Sequence, residues 1–149
     1  MKIEGYFDPE FKPKAPFVDA IIISPLAKLY HKIRFLIDSG ASMTIILDKD
    51  VKDCGIDMSK LKRMEKKVSG IGGSIETYLI EDGKIVFETE KGFYEQKLSL
   101  FVGIHDMSRI DEETRKKVLL IPSLLGRDIL NEFDFHVLPQ KEKVYLERE

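Results

Sequence analysis

One carboxylate in this sequence is placed where it could do acid–base chemistry. Residues 35–41 read FLIDSGA, so an apolar strand ends at Asp38 and its carboxylate enters a turn made by Ser39 and Gly40. Two carboxylates that share one proton can act together as a general acid and a general base. Asp-Ser-Gly occurs once in the 149 residues. A carboxylate pair therefore needs a second copy of the chain.

The same triplet also has a purely structural interpretation. Asp and Ser side chains often hydrogen-bond to the backbone of their own turn, and Gly tolerates positive φ, so Asp-Ser-Gly is a common surface turn. The apolar residues 35–37 favour the chemical interpretation. An ionisable group at the end of an apolar strand incurs a desolvation cost that a surface turn avoids.

A glycine-rich stretch occupies residues 68–74, which read VSGIGGS. It lacks the Lys-Ser/Thr ending of a phosphate loop, and its glycine spacing does not fit a dinucleotide fingerprint. The structural interpretation is a flexible hairpin tip. The functional interpretation is a mobile hairpin that carries Ile71 at its tip, closes over a peptide and excludes water.

A third segment, residues 124–130, reads LLGRDIL. This pattern predicts a strand, a turn at Gly126 and the start of a helix. Asp128 lies near the positive end of that helix, and the apolar residues after it face the core.

These three segments, in this order, resemble the retropepsin family of aspartic peptidases, and the resemblance extends over residues 17–146. It implies an all-β, or mainly β, fold: a closed acid-protease barrel with one or two short helices and a flap hairpin. It also implies a homodimer whose active site lies on the two-fold axis. Asp-Ser-Gly-Ala-Ser followed by a helix-like insert is more similar to the cellular and prokaryotic members than to the viral ones.

The resemblance also implies roles for individual residues. Asp38 is the catalytic acid, the hydroxyl of Ser39 bonds across the two-fold axis, and Gly40 lets the backbone approach substrate and partner. Arg127 and Asp128 are structural. The substrate-binding residues are Leu36, Ala41, Gly70, Ile71, Gly72, Gly73, Pro122 and Leu124.

The implied function is a homodimeric aspartic endopeptidase that hydrolyses peptide bonds in extended polypeptides. Its aliphatic pockets favour cuts between apolar residues. In viral members the places of Ser42 and Met43 hold acids that bind the substrate backbone and pair with the arginine. Their absence leaves open a weakly catalytic module that binds peptides or dimerises. A third possibility is a processing enzyme whose extra segments, 1–16, 48–67 and 105–117, restrict access to the cleft.

The elements that position these motifs follow from local patterns. Residues 1–16 contain three prolines and predict an extended N-terminal arm, followed by one domain over residues 17–149. Branched and aromatic residues predict strands at 17–23 and 29–37, the second of which runs from a half-exposed sheet into the core. Residues 44–46 predict a short return strand. In viral members the chain termini interleave, so residues 1–3 and 144–146 are candidates for the dimer sheet.

Helices and hairpins are predicted from turn chemistry. Asp48 is the expected N-cap of a helix over residues 48–54, with Gly55 as its stop, and residues 111–117 predict one or two helical turns. The predicted hairpins have Asp82-Gly83 between 77–80 and 85–87, Lys91-Gly92 between 86–90 and 93–101, and residues 139–143 between 135–138 and 144–146.

Composition excludes several other functions. The net charge is −2 and the basic clusters alternate with acids, so neither nucleic acid nor an anionic membrane is an expected partner. The single cysteine, Cys54, and the lack of a long apolar run predict a cytoplasmic protein. Three scattered histidines offer no metal-ligand spacing, so no metal or cofactor is expected. Neither Cys54 nor a serine has a recognisable base or nucleophile elbow.

Overall fold

The computed structural model describes residues 1–68 and 75–149, and most of the regular structure in them is β-strand. The strands are β1 (Lys2–Glu4), β2 (Tyr6–Phe7), β3 (Pro16–Ser24), β4 (Leu29–Ile37), β5 (Ile45–Ile46), β6 (Lys62–Val68), β7 (Ile75–Ile80), β8 (Lys84–Thr89), β9 (Gly92–Lys97), β10 (Leu100–His105), β11 (Ser123–Leu125), β12 (Asp134–Leu138) and β13 (Lys143–Glu147). The helices are α1 (Asp48–Cys54), α2 (Glu112–Val118) and the single turn α3 (Arg127–Leu130), with 3₁₀ turns at Met58–Lys60 and Pro139–Lys141. The predicted mainly β class is confirmed.

The strands form one large and one small sheet. The large sheet has the order β6-β7-β10-β5-β11-β4-β3-β8-β9, with β2 attached to β3, and the small sheet has the order β1-β13-β12. Only the β5–β10 and β4–β11 pairs are parallel among the described strands. Their hydrogen-bonded path starts at β6 and ends at β9 without closing, so the expected closed barrel is an open sheet in this part of the chain. Both edge strands carry exposed charged side chains, which discourage further pairing.

The main core packs both sheets and α3 together. Its buried side chains include Ile22 and Phe87 from the large sheet, Ile3 and Leu146 from the small sheet, and Ile129 from α3. Strand β4 shows how the sequence directs this burial. Its first half has three exposed residues, Tyr30 to Lys32, between buried Leu29 and buried Ile33, and its last residues are mostly buried, so the strand runs from a half-exposed sheet into the core as its pattern predicted.

The hairpin predicted at Asp82-Gly83 is wrong. Strand β7 pairs with β6 and β10, whereas β8 pairs with β3 and β9. The carboxylate of Asp82 accepts hydrogen bonds from Ser24 Oγ (2.6 Å) and the Leu26 backbone N–H (2.9 Å). The turn is therefore attached to the β3–β4 connection. It carries the chain from β7, which lies beside β10, to β8, which lies beside β3.

The other two hairpins are confirmed. Strands β8 and β9 pair up to Thr89 and Gly92, where Gly92 has a φ of 116° that favours glycine. Strand β9 ends at Lys97, so the expected strand over 93–101 is divided between β9 and β10. Strands β12 and β13 flank the 3₁₀ turn Pro139–Lys141.

The two longer helices lie where the sequence predicted them, but one cap differs. Helix α1 ends at Gly55, whose φ is 63°. Asp48 is not its N-cap, because Leu47 occupies that position. The carboxylate of Asp48 instead accepts a hydrogen bond from the His105 backbone N–H (2.9 Å) and lies 2.5 Å from His105 Nδ1. This buried pair ties α1 to the end of β10.

The first 16 residues are part of the folded structure. Ile3 of β1 pairs with Leu146 of β13 within the same chain and is 1% exposed. Strand β2 pairs with the start of β3, and residues 8–15 form a loop between them. In the described part of the chain no helix is long and apolar enough to cross a membrane.

Candidate active site

The loop over residues 38–44 crosses the end of a central strand. It joins β4 to β5, and β11 lies between these two strands, with Leu124 paired to both Leu36 and Ile45. The backbone N–H of Asp38 continues this pairing by donating to the Leu125 carbonyl (3.1 Å). The position of Asp38 is therefore set by a strand pair formed between residues about 90 positions apart in the sequence.

Asp38 begins a tight turn that its own side chain supports. The Gly40 N–H donates to Asp38 Oδ1 (2.9 Å), and the Ala41 N–H donates to the Asp38 carbonyl (3.1 Å). A Cβ at residue 40 would lie 3.1 Å from Asp38 Oδ1, so glycine leaves room for the carboxylate. Asp38 is half-buried, and Ser39 and Gly40 are exposed.

The first turn of α3 packs directly on the loop. The Arg127 N–H donates to the Ala41 carbonyl (2.9 Å), and the Asp128 N–H donates to the Ser42 carbonyl (3.2 Å). A Cβ on Gly126 would lie 2.5 Å from the backbone carbon of Met43. Only glycine allows this approach, since backbone atoms cannot move aside as a flexible side chain can.

Asp128 fastens the far end of the loop through Thr44. Its Oδ1 accepts hydrogen bonds from the Thr44 N–H (3.0 Å) and Thr44 Oγ1 (2.7 Å), and Thr44 Oγ1 in turn accepts from the Gly126 N–H (3.0 Å). Thr44 is fully buried. Sequence reasoning missed its role. The available signal was a hydroxyl at the start of an apolar strand, because a buried polar group requires partners.

Arg127 supports the same turn from the other side. Its Nη1 donates to the Ser39 carbonyl (2.7 Å). Ser42 and Met43, where the resemblance leads one to expect acids, are both exposed, Met43 by 40%.

The floor beside Asp38 is apolar. Three of the predicted substrate-binding residues, Leu36, Ala41 and Leu124, belong to one cluster. The other members of this cluster are Ile45, Leu47, Ile75, Phe101 and Ile121. Of these, Phe101 and Ile121 are partly exposed. Neither was identified from the sequence as a substrate-binding residue, because β10 and the loop before β11 reach the site only through pairing between distant strands. Pro122 is half-buried next to Ile121, and Gly70, Ile71, Gly72 and Gly73 lie outside the described residues.

Neither a cysteine nucleophile nor a metal site is favoured by the described residues. Burial, followed by the charges of Asp50 and Asp53, raises the pKa of the Cys54 thiol to about 11, so the thiolate is scarce near neutral pH. Within residues 1–68 and 75–149, no cluster of three or more His, Cys, Asp or Glu side chains could hold a metal ion. Asp38 remains the carboxylate around which the hydrogen bonds of this loop are arranged.

The chain matches one family model and is similar in fold to a solved structure. A model of the family described as "gag-polyprotein putative aspartyl protease" matches residues 30–132, more than half of the chain. A retropepsin-like aspartic protease from Rickettsia conorii is 19% identical, aligns over 98% of this chain and 90% of its own, and gives a TM-score of 0.56. An EIAV protease bound to an inhibitor is 17% identical over 83% of this chain and 91% of its own, with a TM-score of 0.47. Among curated protein sequences none matches.

Proposed function

Because the chain belongs to the gag-polyprotein aspartyl protease family, we propose that it is an aspartic endopeptidase that cleaves extended polypeptides as a homodimer. The observation that carries this proposal is the Asp38 turn. Its carboxylate stands at the end of a buried strand, and the backbone around it is fixed at Ser39, Ala41 and Thr44 by contacts from α3. Such a fixed carboxylate suits catalysis, because a reacting group must hold its geometry.

The homodimer follows from the number of carboxylates. The sequence has one Asp-Ser-Gly, and a water-activating pair needs two. Two Asp38 side chains brought together on a two-fold axis would share one proton, since like charges about 3 Å apart cannot both be ionised. The ionised member takes a proton from water, and the neutral member polarises the scissile carbonyl. The hydroxyl of Ser39, which is exposed in the single chain, would bond to the partner across this axis.

The apolar cluster beside Asp38 supports the proposed substrate class. Leu36, Ala41 and Leu124 form an aliphatic floor on which apolar side chains of an extended peptide would be buried. We propose that residues 70–73 close over that peptide. Cuts between apolar residues are the expected specificity.

Digestion of an unfolded protein mixture tests the proposal. Wild type and Asp38→Asn are compared over about pH 3 to 8, and the new termini are read by mass spectrometry. Cuts that are present with wild type and absent with Asp38→Asn support an aspartic peptidase. Equal cutting by both proteins rules the mechanism out. Asp53→Asn, at an exposed position on α1, is the matched control and should cleave as wild type does.

Mixing the two proteins tests the dimer separately. If each active site takes one carboxylate from each chain, mixed dimers are inactive. An equal amount of Asp38→Asn should lower the activity per wild-type chain to about half, whereas Asp53→Asn should leave it unchanged. Activity that stays constant in the first mixture shows that one chain is sufficient.

The alternative function is a peptide-binding module that cleaves weakly or not at all. The exposed Ser42 and Met43 favour it, because neither side chain can bind the substrate backbone as a carboxylate does. This alternative predicts that wild type and Asp38→Asn bind peptides equally well and that neither cleaves them. Calorimetric titration measures this binding, and the absence of cleavage of the bound peptides by wild type distinguishes the module from an endopeptidase.

A further inference from the structure

A row of side chains continues the apolar floor beyond the predicted pockets. Residues that are direct partners in neighbouring strands project from the same face of a sheet. Across β2, β3, β4, β11, β5 and β10 the successive partners are Tyr6, Phe17, Leu36, Leu124, Ile45 and Phe101. Leu36 and Leu124 belong to the proposed substrate floor. Phe17 therefore extends that floor on the side of Leu36 that faces the first 16 residues.

The loop formed by residues 8–15 covers Phe17. The ring of Phe11 lies 5.0 Å from the ring of Phe17, centroid to centroid, at an interplanar angle of 56°. The Arg34 guanidinium lies 4.8 Å from the Phe17 centroid, and the Tyr6 ring lies 6.3 Å away on another side. As a result Phe17 is completely buried, while Phe11 is only half-buried. Part of the Phe11 side chain thus remains exposed next to the row.

An ion pair between the buried Asp8 and the partly exposed Arg34 holds this loop in place. Asp8 is 4% exposed, and its carboxylate pairs with Arg34 and accepts a hydrogen bond from the Glu10 N–H (2.9 Å). The Phe11 N–H donates to the Asp8 carbonyl (3.2 Å), and the Asp8 N–H donates to the Ala15 carbonyl (3.4 Å). A buried carboxylate with several donors fixes its surroundings. Phe11 is therefore presented by a loop that is anchored at the same strand, β4, that delivers Asp38.

We propose that residues 8–15 form a side wall of the substrate cleft and that Phe11 selects an aromatic side chain of the peptide. That side chain would pack against Phe11 above Leu36, where edge and offset contacts between rings are favourable. The inference rests on the proposed function, since Leu36 lines a cleft only if a peptide binds beside Asp38. In a two-fold dimer each half of the peptide meets one such wall. A change at Phe11 should then alter preference at two peptide positions that are equally distant from the cut.

Cleavage-site profiling tests the wall. Phe11→Ala should lower the preference for aromatic over small residues about ten-fold at those two positions, and Phe11→Leu should retain part of it. Phe93→Ala, at a 72% exposed phenylalanine of edge strand β9, is the matched control and should give the wild-type profile. Thermal unfolding of each variant identifies loss of structure. A profile unchanged by Phe11→Ala, or a uniform loss of rate at all sequences, overturns the inference.

Peptide binding to the Asp38→Asn background separates this inference from the proposed catalysis. A library of extended peptides is selected on Asp38→Asn and on Asp38→Asn combined with Phe11→Ala. A selected preference for aromatic residues that disappears in the double variant supports the wall even if wild type does not cleave. If Asp38→Asn selects no peptides, or if both proteins select the same ones, the wall is wrong. Cleavage by wild type, measured independently, decides only the proposed function.

Discussion

The loop of residues 38–44 and the loop of residues 8–15 are each held by one aspartate, but the two aspartates bind different donors. Asp128 accepts from the backbone and hydroxyl of Thr44 and from the backbone of Ile129, all of them uncharged. Asp8 pairs with the guanidinium of Arg34. The Asp38 loop is thus built into the backbone of its neighbours, whereas the second loop is attached through a long, flexible side chain.

This difference shows how tightly each loop is constrained. Thr44 is fully buried, so a lost acceptor at Asp128 cannot be replaced by water. The side chain of Arg34 is 38% exposed, so it can turn to solvent when Asp8 is removed. The Asp38 loop is therefore held rigidly, and the loop of the proposed specificity wall is held by a side chain that can move. Four predictions test this contrast.

The largest effect is expected for Gly126→Ala. The new Cβ would overlap the Met43 backbone, so α3 and the Asp38 loop must separate. We expect a loss of about 3 kcal/mol in the free energy of unfolding, measured in urea, and loss of any activity. Gly55→Ala is the control, because its Cβ meets open space and only its φ of 63° opposes the change, at about 1 kcal/mol. Equal losses for the two variants would show that α3 does not brace the loop.

The second effect is expected for Asp128→Ala. It leaves the Thr44 N–H and hydroxyl buried without their acceptor, and we expect a loss of about 2 kcal/mol in the free energy of unfolding. Asp128→Asn retains an acceptor oxygen and should recover a part of this loss. If the alanine and asparagine variants unfold at the same urea concentration, the hydrogen bonds to Thr44 contribute little.

The third effect is smaller and concerns Asp8→Ala. Because Arg34 is 38% exposed, we expect the free energy of unfolding to fall by about 1 kcal/mol, less than for Asp128→Ala. The loop of residues 8–15 should loosen while the Asp38 loop stays intact. Limited proteolysis after Lys14 detects this loosening. A larger loss than that of Asp128→Ala would reverse the ranking of the two attachments.

The sequence predicted those parts of the fold that depend on neighbours along the chain. The strand pattern before Asp38, the stop of α1 at Gly55 and the turn at Gly92 are all local properties, and each is found in the structure. The strong local signal of Asp82-Gly83 predicts a hairpin that the structure does not have. The partners of this turn, Ser24 and Leu26, lie more than 50 residues away and lead the chain elsewhere.

The candidate site shows the same limit. A family resemblance identified Leu36, Ala41 and Leu124, which the structure brings into one cluster. It could not identify Thr44, because a threonine before two isoleucines is ordinary in a strand and its importance depends on Asp128, 84 positions later. The hydrogen bond between Asp48 and His105 was not predicted for the same reason. An acid at the start of a helix is usually interpreted as its N-cap.

The smallest effect is expected from salt. Raising the ionic strength to about 0.5 M screens a partly exposed ion pair but hardly affects hydrogen bonds from uncharged donors. The Phe11 N–H, which donates to the Asp8 carbonyl, should therefore exchange with deuterium a few times faster in high salt, while exchange of the Thr44 N–H stays constant. Amide exchange followed by NMR measures both sites in one sample. If both amides exchange faster by the same factor, salt has lowered the global stability, and the two loops are not attached in different ways. If only the Phe11 amide exchanges faster, its loop opens independently of the Asp38 loop. A wall that adjusts to different side chains requires such independent opening.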